Sequence, residues 1–178
     1  MSKKENYIPE RLEALSLLET LNVPKSVKKH SIKVAEVAME ITRRITKAEI
    51  NKPLIEAGAL LHDVGRSETH GFKHAQAGGR ILRTKGFSKL LAKICETHIL
   101  GGLDKEDAKK VGLPEKNYLP QTIEEKIICL ADKRVLGDRK VSVDERFNKW
   151  FKKYGKTPIL IKSKKRIEEI QRELNKLM

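Results

Sequence analysis

Apolar residues recur along this chain at spacings of three and four, the repeat of a helix that buries one face; the only strand-like run is the tripeptide Ile159-Leu160-Ile161. Pro9 opens a first helix with Leu12, Leu15 and Leu18 on one face. Pro24 and Ser26 introduce a long second helix, whose stripe is Val27, His30, Val34, Val37/Ala38, Ile41 and Ile45. Asn51 and Pro53 start a third, through Leu54, Ala57, Gly58 and Leu61, which ends near Gly65. A fourth spans roughly 74–84 and stops before Gly86; Ser88 caps a fifth that carries Leu91, Ile94, Cys95 and His98.

Residues 99–121 hold three glycines and two prolines and are expected to form one long loop, a length that in compact domains is usually functional or mobile. Thr122 with Glu125 is a capping box ahead of Ile127, Ile128, Ala131 and Val135. Ser142 with Glu145 is another, ahead of Phe147, Trp150, Phe151 and Tyr154. After Gly155 and Pro158, a last helix shows Ile167, Ile170, Leu174 and Leu177. This 3-4-3 stripe fits a dimer seam, but two heptads are too few for an independent coiled coil, so docking on the parent domain is the favoured reading. The expected fold class is all-α: a single helical bundle over 1–136, followed by a basic helical extension over 137–178 packed on it.

Composition sharpens this outline. The chain has 178 residues, 39% of them hydrophobic and 4% aromatic, enough for a core built of Leu, Ile, Val and Ala. Its 38 Lys+Arg against 24 Asp+Glu give a net charge of +14 and favour anionic partners. From Gly137 onward, 13 basic residues face 6 acidic ones, so a quarter of the chain carries half the surplus. The richness in Lys, Glu and Ile also suits a thermophile's surface. No apolar run is long enough to span a membrane, and the opening Met-Ser-Lys-Lys-Glu-Asn lacks the apolar stretch of a signal peptide. Cys95 and Cys129 have no CxxC spacing, which argues against a cysteine zinc site and a disulfide scaffold and fits a cytoplasmic protein.

Five histidines exist, and four of them sit on or at the ends of apolar stripes: His30, His62, His74 and His98. Asp63 follows His62, and Asp132 interrupts Ile127-Ile128-Cys129-Leu130-Ala131. One histidine on an apolar face is ordinarily a core residue with a satisfied hydrogen bond. A buried carboxylate is costlier, several kcal/mol unless paired. Several His and Asp residues facing one helical core share a single compensation, a divalent metal, and imidazole with carboxylate and no thiolate points to Mn, Fe, Co, Ni or Zn.

The ordered set resembles the HD-domain metal-dependent phosphohydrolase superfamily, in an HDIG-type, archaeal-like branch. The match runs over roughly residues 24–136: His30 in Val-Lys-Lys-His-Ser-Ile-Lys-Val-Ala, then Leu-Leu-His62-Asp63-Val-Gly65-Arg66, then His98, then Leu-Ala-Asp132-Lys133. The resemblance implies that His30, His62, Asp63 and Asp132 bind one metal ion, and that His74 and His98 occupy the slots for a second, with Asp63 bridging. It implies cleavage of a phosphomonoester or phosphodiester of a nucleotide-like substrate by metal-activated water, with Asp63, His62 and Arg66 as the catalytic set. Arg66, Lys133, Arg134 and Arg139 are the candidates for contact with substrate phosphate, with Arg146 a further member of that rim and Lys133 also read as a solvated flank. The Gly-Tyr-Pro element of cyclic-di-GMP phosphodiesterases is absent after His98. The residue order is also similar to that of small HD-type diadenosine tetraphosphatases, from which Arg66 and Ile99 depart. His70 fits no family slot and is read as a loop residue.

The competing expectation is an RNA- or nucleotide-binding module with a degenerate or sensory HD site, supported by the basic extension. Phe147, Trp150, Phe151 and Tyr154 could stack on bases, but their helical spacing favours core packing.

Overall fold

The protein's structure, a computed structural model, describes residues 6–178; the first five residues, on which the absence of a signal peptide was partly argued, lie outside them. Seven helices precede a short hairpin: α1 (Arg11–Thr20), α2 (Lys25–Arg44), α3 (Lys52–Leu61), α4 (His74–Thr84), α5 (Lys89–Thr97), α6 (Lys105–Lys110) and α7 (Ile123–Lys133). β1 (Val135–Leu136) pairs antiparallel with β2 (Arg139–Lys140), and α8 (Val143–Tyr154) and α9 (Pro158–Lys176) follow. Among the described residues the fold is all-α apart from these four hairpin residues and three isolated bridges.

Local chemistry sets the helix starts. Asn51, Ser88, Asp104, Thr122, Ser142 and Thr157 each accept a hydrogen bond from a backbone N–H of the first turn of α3, α5, α6, α7, α8 and α9. Pro53 and Pro158 stand in the first turns of α3 and α9, where a missing N–H costs nothing. Tertiary packing then selects the faces. Every residue of α7 from Ile127 to Lys133 is buried, because α2, α3, α5 and α9 all pack around this helix.

Ile167, Ile170 and Leu174 of α9 join the same apolar cluster as Leu60, Ile128 and Phe147. The 3-4-3 stripe therefore faces its own chain. The C-terminus closes against the α2–α3 connection, where the N–H groups of Thr46 and Lys47 both donate to the carbonyl of Leu177.

Three expectations are corrected. Leu12 is 80% exposed, and α1 turns Ala14 and Leu18 inward instead. Residues 99–121 are not one loop: α6 lies within them, and Leu103 and Tyr118 exchange backbone hydrogen bonds of 3.2 and 2.7 Å. Ile159-Leu160-Ile161 is the first turn of α9 rather than strand. No described helix is long and apolar enough to cross a membrane.

Candidate metal centre

Five helix ends or faces converge on one buried point. His30 stands in the second turn of α2 and faces α7, where its Nε2 lies 2.9 Å from Asp132 Oδ1. His62 ends α3 and His98 ends α5, while His74 begins α4. Asp63 follows in a backbone conformation of φ −102, ψ 13, between helix and extended chain. A 3-10 turn, Val64–Ser67, then carries the chain to α4.

Gly65 makes that turn possible by close approach. A Cβ there would lie 1.9 Å from the carbonyl oxygen of His74 and 2.5 Å from the nitrogen of Gly78. The bare backbone lets the turn lie on α4, which brings His74 Nε2 to 2.9 Å from Asp63 Oδ1.

The orientation of the rings decides what the cluster can do. Nδ1 of His30 faces the carbonyl of Gly137, that of His62 the carbonyl of Ala59, that of His74 the carbonyl of Gly71 and that of His98 the carbonyl of Cys95. For His62, His74 and His98 the acceptor lies three residues back in the chain; for His30 it is the tip of the hairpin, where Gly137 turns at φ 62. A carbonyl only accepts, so each Nδ1 carries the proton and each Nε2 of the neutral ring presents a lone pair. Four such nitrogens and the carboxylates of Asp63 and Asp132 point at each other. His74 Nε2 and His98 Nε2 are 3.2 Å apart, and two lone pairs at that distance repel.

Three overlapping triads have their ligand atoms within 4.8 Å of one another: His30, His62 and Asp63; His62, His98 and Asp132; and Asp63, His74 and His98. His62 Nε2 and Asp63 Oδ1 are buried without a hydrogen-bond partner. A cluster of acceptors with orphaned atoms at its centre fits a cation, and the six expected ligands are the residues that would hold it.

The electrostatics agree. Burial works against charge on Asp63 and Asp132, yet His62 beside the first and Lys133 beside the second help hold both carboxyls well below the usual range. Burial also works against charge on His62, but Asp63 and Asp132 overcome it and raise the ring's pKa. Burial pushes His98 down to about 4, keeping it neutral. Cys129 and Cys95 are held as thiols by burial and donate to carbonyls, so neither offers a thiolate.

The remaining candidates divide. Arg66 Nε donates to Asp63 Oδ2 at 2.8 Å, and the arginine lines a cavity of about 490 Å³ above the cluster. Lys133 is not a solvated flank: it is 1% exposed, its Nζ pairs with Asp132 Oδ2 and donates to the carbonyl of His98 at 2.6 Å. Arg139 is exposed and pairs with Glu145 at 2.6 Å, and neither it nor half-buried Arg134 lines the cavity, which corrects their assignment to a phosphate rim. Arg146 does line it, as do Trp150 and Tyr154, whereas Phe147 is core. His70 is an exposed loop residue. Leu100 also lines the cavity at φ 53, a left-handed conformation that costs a non-glycine residue about 1–3 kcal/mol.

A family model described as the HD domain matches residues 27–135, which hold all six inward-facing candidate ligands. The chain belongs to the HD domain family. An uncharacterised protein of Methanocaldococcus jannaschii is 42% identical over 168 residues, covering 93% of this chain and 97% of that protein. Two tRNA (cytidine(56)-2'-O)-methyltransferases, from Thermoplasma volcanium and Picrophilus torridus, are 39% and 38% identical over 85% and 83% of this chain. This chain spans under half of their lengths, 44% and 42%. Among solved structures, the HD domain of the Listeria monocytogenes phosphodiesterase PgpH, in complex with cyclic-di-AMP, shares the fold with a TM-score of 0.53 at 19% identity, over 91% of this chain and 97% of that one. A second structure of the same HD domain has a TM-score of 0.50.

Proposed function

We propose that this HD domain protein is a metal-dependent phosphohydrolase that cleaves a phosphomonoester or phosphodiester bond of a nucleotide-like substrate. The carrying observation is the orientation of the four histidines, each anchored at Nδ1 so that its Nε2 faces the two carboxylates. One or two divalent ions of Mn, Fe, Co, Ni or Zn type fit that donor set, and when bound they supply Lewis acidity to a phosphoryl oxygen and to water.

The chain's own groups do the rest. His30, His62, Asp63 and Asp132 form one half of the ligand set and His74 and His98 the other, with Asp63 between them. Lys133 holds Asp132, and Arg66 holds Asp63 through Nε while its two terminal nitrogens remain free to donate to phosphoryl oxygens. Because each carboxylate already has a cationic partner, a bound divalent ion leaves the cavity floor net positive, the charge a phosphate needs. The cyclic-di-AMP complex of the PgpH HD domain supports a nucleotide phosphoester as substrate.

A second reading, an RNA-binding module with a sensory HD site, is favoured by the tRNA methyltransferases among the relatives. One experiment separates the two. Protein purified without chelator is assayed for bound metal, then for hydrolysis of mono-, cyclic and dinucleotides with Mn, Fe, Co and Ni. The enzyme reading requires turnover that both Asp63→Ala and His62→Ala abolish; turnover surviving in both variants refutes it, and RNA binding without turnover favours the second reading.

A further inference from the structure

The cavity above the histidines is completed by residues outside the part of the chain that defines the family. Arg146, Trp150 and Tyr154 follow one another at intervals of four along α8 and so share a face of that helix, while Phe147 on the adjoining face is fully buried in the core. All three line the cavity together with His30, His74 and His98, and lie beyond residue 135. The volume of about 490 Å³ is that of a pocket for a small organic molecule rather than for a bare anion.

The wall has two qualities that point to one class of ligand. It is largely apolar, with Phe72 and Ile159 lining the cavity along with the aromatic rings of Trp150 and Tyr154. It also holds one polar group in waiting. The Arg146 guanidinium lies 4.3 Å from the centre of the Trp150 ring, and its Nε is buried without a hydrogen-bond partner. The neighbouring Glu145 is engaged by Arg139, and Arg146 enters no ion pair among the described residues. A planar heterocycle with acceptor atoms on its edge satisfies both qualities; a phosphosugar or inorganic phosphate satisfies the arginine but leaves the apolar surface uncovered.

We propose that Arg146, Trp150 and Tyr154 form a nucleoside-binding subsite, in which the base lies on the aromatic wall and accepts a hydrogen bond from Arg146. Which end of the ligand meets the histidines rests on the phosphohydrolase reading above; the subsite itself does not. The C-terminal extension is then the part of the protein that chooses the substrate.

Trp150 is the only tryptophan in the sequence, so its fluorescence reports the subsite without turnover. The full chain, kept under chelator, is titrated with the four common nucleoside 5′-monophosphates, adenosine, ribose 5-phosphate and inorganic phosphate. At least one nucleotide is expected to quench the emission saturably, with ribose 5-phosphate and phosphate inert. Tyr154→Ala, at a position 56% exposed, and Arg146→Gln are each expected to weaken that nucleotide by about tenfold with an unchanged melting temperature. The proposal is overturned if no nucleotide quenches, if ribose 5-phosphate binds as well as the nucleotides, or if neither variant changes the affinity. Failure here with hydrolysis of simple phosphoesters intact removes the subsite and leaves the enzyme standing. Nucleotide binding with no hydrolysis under any metal does the reverse.

Discussion

The ammonium of Lys133 sits inside the protein between the Asp132 carboxylate and the carbonyl of His98. Its place was not legible in the sequence, because residues adjacent on a helix point about 100° apart and a lysine next to a buried aspartate reads as the outward one. Only the approach of the α5 end to α7 supplies the carbonyl that draws the side chain in. Lys133→Met leaves Asp132 without its counter-charge, and we expect metal-free protein to lose about 3–5 kcal/mol in urea unfolding. Arg66 was expected from the sequence to meet substrate phosphate, whereas its contact with Asp63 was not foreseen. With Nε on Asp63 and its far end toward the cavity, Arg66→Ala is expected to lower activity about 10- to 100-fold. Arg66→Lys should recover only part of it, since a point charge cannot replace the two-sided fork. Steady-state rates of the two variants check this.

At the scale of elements, the histidine order was legible because polar residues in apolar stripes are conspicuous, and the helices that carry them follow from spacing and caps. What escaped was order imposed from a distance. The segment 99–121 looked like a loop from its glycines and prolines, although Asp104, which caps α6 through the N–H of Asp107, was a local signal for the helix. Its position is fixed by α9: Arg166 reaches the Gly102 carbonyl, Asp104 and Asp107, and Lys162 pairs with both aspartates. Burial opposes ionisation of Asp104, but Lys162, the Asp107 N–H and Arg166 outweigh it and hold the carboxyl well below its usual range. A depressed carboxylate stabilises the fold above its unfolded pKa of about 3.9 and loses that contribution as pH falls through the folded value. Asp104→Asn should therefore be less stable than the parent near pH 7, with the gap closing below about pH 4, as acid unfolding curves of the two proteins would show. Gly65 was read as a helix stop, whereas its contact with α4 is the larger constraint. Gly65→Ala should push α4 away and lose bound metal, measured by metal content of the purified variant.

Across the whole molecule, the charge of the extension and its packing answer different questions. Half of the surplus charge lies beyond Gly137, yet Ile167, Ile170 and Leu174 belong to the central apolar cluster together with residues of α2, α3 and α7. The sequence suggested docking but could not show that the docked helices would share one core with the histidine-bearing helices. Leu174→Ala, at a position 1% exposed, is expected to cost about 2–5 kcal/mol and to lower a single unfolding transition seen alike by circular dichroism and Trp150 fluorescence. Two separate transitions would mean that the extension unfolds on its own.

The two thiols give this arrangement a clock. Cys95 donates to the carbonyl of Leu61, next to His62, and Cys129 to that of Leu100, close after His98, and no other cysteine is present. Burial pushes the Cys129 thiol up to about 11 and Cys95 further, so an alkylating reagent at neutral pH meets neither sulfur until the helices part. The labelling rate counts those openings. A divalent ion that binds only the closed form must slow the count by the factor 1 + [M]/Kd, which makes the affinity of the centre measurable before any substrate is known.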